Sequence, residues 1–279
     1  MAFDADIESY YAQGGEQGRL DQGYFPLERA RTQEIVLRHL PPPPAVVLDV
    51  GGAAGAYALW LASRGYEVHL VDPVPLHVEQ ALGASAASDR ALASASLGDA
   101  RALARADRCA DAVLLLGPLY HLVDRADRLQ ALREVRRVLR PGGVAFAAAI
   151  SRFASLVDNL SNVTGVGLPH VLASPAVLDM VRQDLAGGPH RNPTDQAQYF
   201  TTAFFHHPDE LAAEVREAGL DLVDLLPLEG LGAFTGAFER AWADEARREA
   251  LLSLIRQVER EPTLIGVCLL YTSPSPRDS

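Results

Sequence analysis

Apolar and polar positions alternate with two different periods along the first half of the chain. Within residues 125–139, apolar side chains recur at every third or fourth position with arginines between them, which predicts an amphipathic helix. Similar spacing predicts helices over 27–40, 56–64 and 76–87. Short apolar runs predict strands over 46–50, 67–71, 92–97, 112–116 and 144–150. Strands and helices that alternate in this way form right-handed βαβ units, so the pattern predicts a parallel sheet with helices on both faces.

The pattern changes after the fifth predicted strand. Residues 151–205 contain two predicted helices and the polar stretch GGPHRNPTDQAQY. Such a stretch can simply be a connecting loop, but loops of this length inside compact domains are typical of lids and binding segments. Regular elements are predicted again over 208–218 (helix), 220–226 (strand), 242–259 (helix) and 263–267 (the start of a last strand).

The final residues differ in character from the rest of the chain. Residues 268–278 read CLLYTSPSPRD and resemble one translated frame of an adapter used to build sequencing libraries. The ordinary alternative is a genuine Ser/Pro tail, because such residues are common at chain ends. We expect 268–279 to be a non-native, adapter-derived tail and take no functional residue from it.

Composition argues against several classes of function. The 279 residues carry a net charge of −11, and all 25 cationic side chains are arginine. A chain without lysine has neither a Schiff-base lysine nor a Walker A loop. The acidic balance argues against a nucleic-acid partner, and no Cys/His cluster suggests a metal site. No signal peptide or apolar run of membrane-spanning length is seen, so we expect a cytoplasmic protein without a membrane partner.

One stretch carries most of the candidate chemistry, VVLDVGGAAGAYALWLASRGYEVHLVD at residues 46–72. A strand, a glycine turn and a helix place backbone N–H groups and a helix N-terminus in front of a ligand. Asp72 ends the next strand, 21 residues after Gly51, where a carboxylate can accept hydrogen bonds from two ribose hydroxyls. The G-x-G-x-x-G pattern of dinucleotide sites is not met, because Ala53 and Ala56 replace its second and third glycines.

The pattern D-x-G-x-A-x-G, from Asp49 to Gly55, resembles motif I of the class I S-adenosylmethionine-dependent methyltransferases. An acid before the turn suits a ligand that carries an ammonium and a sulfonium, and it would repel a pyrophosphate. The family often has glycine where this chain has Ala53. Three further stretches fit the same family in the same order: LVDP at Asp72, GDARAL at Asp99, and LLLGPLYHL with the later LREVRRVLRPGGV. The resemblance covers residues 46–150, and it extends beyond them only in general layout.

The resemblance implies a fold, a cofactor and a division of the chain. The fold is α/β, a Rossmann-like doubly wound sheet that is mostly parallel with an antiparallel last strand, as in small-molecule methyltransferases of the methyltransferase-11-like type. The parts expected from it are an N-terminal helical cap (1–44), an S-adenosyl-L-methionine-binding core (45–150), a cap or lid insert (151–205) and the C-terminal part of the core (206–267). The implied cofactor-binding residues are Asp49, Gly51, Gly52, Ala53, Gly55, Asp72, Pro73, Asp99, Ala100, Leu116 and Gly117. Arg29 or Arg31 of the N-terminal cap could reach the methionyl carboxylate, although arginines on a solvated helix face are more common, and Arg31 is our candidate.

The acceptor side is less defined by the sequence. Tyr120 and His121 are candidate catalytic residues, because a histidine at this place could take a proton from a hydroxyl or amine acceptor. Alternatively, Tyr120 walls the cofactor pocket and His121 only packs. The (D/N)PPY signature of adenine and amide methylation is absent after the fourth strand, where GPLY stands. We therefore expect methyl transfer to an O, N or C atom of a small molecule by in-line displacement. A nicotinamide-dependent oxidoreductase and a non-catalytic S-adenosylmethionine-binding module are the alternatives, and the oligomeric state stays open.

Overall fold

The structure is a computed structural model that describes residues 5–161, 167–194, 196–235, 238–267 and 269–276. Its strands are β1 (Val46–Val50), β2 (Glu67–Asp72), β3 (Ser94–Leu97), β4 (Ala110–Leu115), β5 (Leu139–Ser151), β6 (Pro189–His190), β7 (Ala203–His206), β8 (Leu220–Pro227) and β9 (Leu269–Pro276). Its α-helices are α1 (Ala5–Tyr11), α2 (Phe25–His39), α3 (Ala56–Ser63), α4 (Pro75–Ala86), α5 (Pro118–His121), α6 (Arg125–Val138), α7 (Ala154–Ser161), α8 (Gly167–Ala173), α9 (Pro175–Gly187), α10 (Pro208–Glu217), α11 (Phe238–Ala243) and α12 (Glu245–Val258).

The strands form a sheet with the main order β3-β2-β1-β4-β5-β9-β8. The pairs from β3 through β5 are all parallel, whereas β9 is antiparallel to both of its neighbours. A short parallel pairing joins β7 to the end of β5, and β6 pairs antiparallel with β7. The predicted fold class, a doubly wound and mostly parallel sheet with an antiparallel last strand, is confirmed.

Apolar side chains are buried on both faces of the sheet. In β1, Val47 packs in the cluster that includes α2 and α3, and Leu48 packs in the cluster that includes α6 and α10. Successive residues of a strand point to opposite faces, so a strand covered on both sides must be apolar almost throughout. Asp49 breaks this run near the carboxyl end of β1. A buried acid at the ligand-facing edge of a parallel sheet indicates a binding role.

Two predicted elements of the C-terminal part are wrong in detail. The single helix predicted over 242–259 is two helices, α11 and α12, because the Asp244 side chain accepts a hydrogen bond from the Arg247 backbone N–H (2.9 Å) and begins a new helix. The last strand does not begin within 263–267. Residues Pro262–Leu264 form a 3-10 turn, and the strand is β9 at Leu269–Pro276.

Strand β9 lies inside the segment that we expect to be a non-native tail, while Cys268 lies outside the described residues. Tyr271, Thr272 and Ser273 are at most 1% exposed, and their hydroxyl groups have no hydrogen-bond partner among the described residues. Buried hydroxyls without partners destabilise a fold. These polar residues are therefore poorly matched to the central position that β9 takes, and the adapter origin of the segment stays a prediction.

Between β5 and β7 the chain leaves the sheet and forms an insert. Three helices are described there, α7, α8 and α9, where two were predicted. Gly188 ends α9 with a φ of +90°, and a Cβ atom at this position would lie 2.3 Å from the Phe205 carbonyl oxygen. Glycine is therefore required where the insert returns to the sheet.

Candidate functional site

The glycine turn after β1 brings backbone close to two neighbouring elements. Gly51 has a φ of +71°, and a Cβ atom there would lie 2.6 Å from Pro118 Cδ. A Cβ atom at Gly52 would lie 2.7 Å from Asp49 Oδ2. Ala53 also takes a positive φ, +48°, in a region that favours glycine. Glycine is therefore required at both positions by the close packing of neighbouring atoms, and Ala53 carries mild backbone strain where the family often has glycine.

Asp72 fastens the glycine turn to the end of β2. One oxygen of its buried carboxylate accepts a hydrogen bond from the Ala53 backbone N–H (2.9 Å). The other accepts from the Val74 backbone N–H (2.9 Å) and lies 3.0 Å from His77 Nδ1. The carboxylate is therefore held in one orientation at the edge of the cavity, beside the turn.

Asp49, near the turn, lies in an unfavourable environment for a charged carboxylate. The residue is 1% exposed, and its Oδ2 has no hydrogen-bond partner among the described residues. Burial, and then the neighbouring charge of Asp72, raises the pKa of Asp49 from 3.8 to about 7. A cationic ligand group placed beside it would favour its ionised form.

Asp99 follows β3 and is already engaged by an arginine that the sequence patterns did not single out. Its carboxylate accepts from the Arg101 backbone N–H (2.8 Å) and from the Arg101 guanidinium (2.6 Å to Nη2). Burial alone would raise the pKa of Asp99, but the hydrogen bonds from Arg101 lower it below its usual value. Arg101 also pairs with Asp127 (2.6 Å), so two acids fix its position at the rim.

A cavity of about 730 Å³ lies over the carboxyl ends of the parallel strands. Most of the predicted site residues line it together: Asp49, Gly51, Gly52, Ala53, Asp72, Pro73, Asp99, Ala100, Leu116, Gly117, Tyr120 and His121. These residues come from four separate strand ends, which meet at one edge because the strands are parallel.

Two predicted residues do not line the cavity. Gly55 has a φ of +87° at the start of α3, and its Cα packs towards Ala81 of α4. Arg31 is fully buried in a different place, where it donates to the Leu228 carbonyl oxygen (3.2 Å) and to Glu259. The prediction that Arg31 faces the methionyl carboxylate is therefore not supported by the structure, because its guanidinium is fully buried away from the cavity lining.

Arg19 lines the cavity instead and is the functional candidate that sequence reasoning missed. Its two terminal nitrogens each donate to one oxygen of Glu28 at 2.8 Å, and its Nε donates to Glu16 at 3.0 Å. The guanidinium also lies over the Phe25 ring, 4.7 Å from the centroid. The segment GRLDQG around Arg19 matches no motif that the sequence patterns could use, so only the fold could reveal its place.

Aromatic side chains from three parts of the chain form one wall of the cavity. The Tyr11 hydroxyl lies 2.6 Å from His121 Nε2, and the two rings meet edge to face at 5.2 Å. Phe200 of the insert packs against Tyr10 (5.5 Å) and against His121 (5.6 Å). Helix α1, helix α5 and the insert therefore close this side of the cavity together, with Tyr120 in the same wall.

The insert is anchored beside this wall by His190. Its Nδ1 lies 3.0 Å from Asp184 Oδ2, and its Nε2 lies 2.8 Å from the Tyr199 carbonyl oxygen. The His190 ring also stacks on Phe205 at 4.5 Å. These contacts hold the polar stretch that the sequence marked as a lid or binding segment against the sheet.

The site combines a glycine turn after β1 with acids at β1, β2 and β3, and its cavity lies at the carboxyl ends of a parallel sheet. This combination is that of a class I S-adenosylmethionine-dependent methyltransferase. The chain belongs to this family. Residues 47–143 match the methyltransferase domain family. The chain is also 30% identical over 218 residues to the ubiquinone/menaquinone biosynthesis C-methyltransferase UbiE of Acidiphilium cryptum, a match that covers 73% of this chain and 77% of that protein. The protein is therefore an S-adenosylmethionine-dependent methyltransferase.

Solved structures agree in fold. A S-adenosylmethionine-dependent methyltransferase of Methanosarcina mazei matches with a TM-score of 0.59 and 17% identity, over 88% of this chain and 98% of that chain. The 1,6-didemethyltoxoflavin-N1-methyltransferase of Burkholderia thailandensis, solved with 1,6-didemethyltoxoflavin and S-adenosylhomocysteine, matches with a TM-score of 0.57 and 16% identity, over 98% of this chain and 87% of that chain. Within the described residues, no helix combines the length and the apolar character needed to cross a membrane.

Proposed function

We propose that the protein transfers the methyl group of S-adenosylmethionine to a small-molecule acceptor. The observation that carries this proposal is a single cavity bounded at one side by the glycine turn and at the other by the insert. Tyr199 and Phe200 of the insert line the same space as Asp72, so an acceptor under the insert would share it with the cofactor. Its volume of about 730 Å³ is typical of small-ligand sites. Two similar proteins are also named for small-molecule chemistry, ubiquinone/menaquinone biosynthesis and N1-methylation of 1,6-didemethyltoxoflavin.

The residues at the carboxyl ends of β1, β2 and β3 would hold the cofactor. Asp72 would accept hydrogen bonds from the ribose hydroxyls, and Asp99 with the Ala100 backbone would hold the adenine. The buried charge of Asp49 faces the cationic end of the cofactor. Arg19 lines the cavity and would hold the methionyl carboxylate in place of Arg31, by exchanging its two hydrogen bonds to Glu28 for bonds to the ligand.

Methyl transfer then proceeds by in-line displacement. A lone pair of the acceptor atom forms a bond to the methyl carbon while the carbon–sulfur bond breaks, and the sulfonium becomes the neutral thioether of S-adenosylhomocysteine. An acceptor O–H or N–H must also lose its proton. We assign that proton to His121 through the Tyr11 hydroxyl, which passes its own proton to His121 Nε2 as it takes one from the acceptor. The residues of the wall, Tyr120 among them, orient the acceptor and exclude water.

The parts of the chain fit these roles. The N-terminal cap (1–44) supplies Arg19 and Tyr11, and the core (45–150) supplies the cofactor residues. The insert (151–205) covers the acceptor, and residues 206–267 complete the core around it.

The proposal is tested by following the methyl group. The protein is incubated with methyl-labelled S-adenosylmethionine and a fractionated cell extract, and the label is counted in the low-molecular-mass, protein and nucleic-acid fractions. We expect label in the low-molecular-mass fraction with the wild type and with a surface control, Asp179→Ala, but not with Asp72→Ala. Label in protein or nucleic acid would overturn the acceptor class. Binding of S-adenosylhomocysteine with no transfer to any fraction would favour the non-catalytic binding module.

A further inference from the structure

The lining of the cavity also contains hydrogen-bond acceptors to which no cofactor role has been assigned. Glu229 follows β8 and is 2% exposed, and its Oε2 accepts a hydrogen bond from the Leu269 backbone N–H (3.3 Å). Asp158 of α7 lines the same cavity. The two acids are close enough for the charge of Asp158 to act on Glu229. They come from different elements, and both add carboxyl groups to the lining of the same cavity.

The side-chain amide of Asn159, next to Asp158 in the chain, adds a further oxygen acceptor to the cavity. Asn159 is 8% exposed, and its Nδ2 donates to the Ser155 carbonyl oxygen at 2.6 Å. Its buried Oδ1 has no partner among the described residues, although the residue lines the cavity. An amide oxygen in this state needs a donor, and the fold around it supplies none that the structure describes.

The charges that act on Glu229 come from two other acids, Glu28 and Asp158. Arg19, a cation of the cavity wall, is held by Glu28 at 2.8 Å from both terminal nitrogens. Burial, and then the charge of Glu28, raises the pKa of Glu229 to about 8. Burial also raises the pKa of Asp158 to about 6. A cation that fills the site would therefore favour the ionised form of these carboxyl groups and use their oxygens as acceptors.

We propose that the methyl acceptor carries an amino group, which binds as an ammonium to Glu229, Asp158 and the Oδ1 atom of Asn159. An ammonium has three N–H donors and no acceptor, so it matches three oxygen acceptors and restores the balance of charge. The aromatic side chains of the wall suit the carbon frame of such an acceptor and attract its cation. This inference rests on the proposed function, because it names the class of acceptor for the same cavity.

The experiment compares amines with neutral molecules of the same shape. Tyramine and 4-ethylphenol form one pair of probes, and tryptamine and 3-ethylindole form a second. Binding of each probe to the S-adenosylhomocysteine-loaded protein is measured by isothermal titration in two buffers that differ in ionisation enthalpy. The variants are Glu229→Gln and a matched control, Glu249→Gln, whose side chain is 63% exposed and pairs with Arg256.

We expect the wild type and Glu249→Gln to bind at least one amine about tenfold or more tightly than its neutral partner. In Glu229→Gln this ratio should fall towards one, while affinity for S-adenosylhomocysteine stays within about twofold. Amine binding should also release protons, because a cation favours the ionised form of a carboxyl group. The ionisable groups that face Glu229 are Glu28, Asp158 and Tyr57.

Three results would overturn the inference. One is the absence of amine preference in both probe pairs. A second is an amine preference that survives Glu229→Gln. The third is a loss of S-adenosylhomocysteine affinity in Glu229→Gln, which would mean that these acids bind the ammonium of the cofactor itself. Failure of the wild type to bind S-adenosylhomocysteine at all would instead count against the proposed function, so the two failures are distinguishable.

Discussion

Replacing Asp49 tests the electrostatics of the site most directly. The residue is 1% exposed, and burial together with the charge of Asp72 raises its pKa from 3.8 to about 7. A carboxyl group with a higher pKa in the folded chain binds more protons when folded, so stability is lost as the pH rises from about 4 to about 7. With about three pKa units and about 1.4 kcal/mol per unit, an ionised Asp49 costs the cofactor-free protein at most about 4 kcal/mol.

We therefore expect Asp49→Asn to stabilise the protein when no cofactor is bound. The amide carries no charge, although leaving one of its buried polar atoms unpaired offsets about 1–3 kcal/mol of the gain. That offset does not depend on pH, whereas the ionisation penalty does. The difference in free energy of unfolding between variant and wild type should thus widen by about 2 kcal/mol between about pH 5.5 and about pH 8.

Urea unfolding followed by circular dichroism, at both pH values and without cofactor, measures this difference. Asp179→Asn serves as the control, because its side chain is 62% exposed and its effect should not change over the same interval. With saturating S-adenosylmethionine the wild type should become more stable than Asp49→Asn, since the cationic ligand stabilises the wild type more than the variant. A difference that stays constant or narrows as the pH rises would refute the assignment of a raised pKa to Asp49.

Three further predictions concern the cofactor site and the last strand. Asp72→Ala should weaken S-adenosylhomocysteine binding by about 2–3 kcal/mol in isothermal titration, because ribose contacts and the anchor of the glycine turn are lost together; unchanged affinity would remove Asp72 from the site. Arg19→Met should weaken the same binding by about tenfold or more. Arg31→Met should instead lower the melting temperature and leave the affinity of the folded protein for S-adenosylhomocysteine unchanged. The reverse pattern would show that Arg31, not Arg19, binds the cofactor. Thr272→Val should stabilise the protein by about 1 kcal/mol or more, because it removes a buried hydroxyl without a partner while keeping the shape of the side chain; a lower melting temperature would show that the hydroxyl is satisfied.

Local sequence was sufficient for the elements that build the cofactor side. Strand β1 is observed at Val46–Val50 as predicted, and α3 and β2 differ from the prediction by a single residue at one end. These elements are set by short-range features: an apolar run, a glycine turn and a helix of regular spacing. The same features fixed the order of the predicted acids, so most of the predicted residues meet at one cavity.

The features that the sequence pattern did not predict depend on partners that are distant in the chain. Arg31 was predicted at the cofactor, but Glu259, 228 positions away in the chain, captures its guanidinium. Strand β9 has a sequence that reads as a polar tail, and it is ordered because β5 and β8 both pair with it. Glu229 and Asp158 belong to no motif, and their proximity follows from how the insert folds back over the sheet. Side-chain partners of this kind depend on tertiary structure, which local periodicity does not encode.

The place of β9 between β5 and β8 also has a consequence for the order of folding. Strands β1 to β5 can assemble from neighbouring βαβ units, but β8 has no partner in the main sheet until the last strand of the chain arrives. Pairing of Leu270 with Ala149 closes a very long loop, so this step comes late and is slow. Until then this edge of β5 stays open to other chains, so the protein is most exposed to aggregation before β8 and β9 dock.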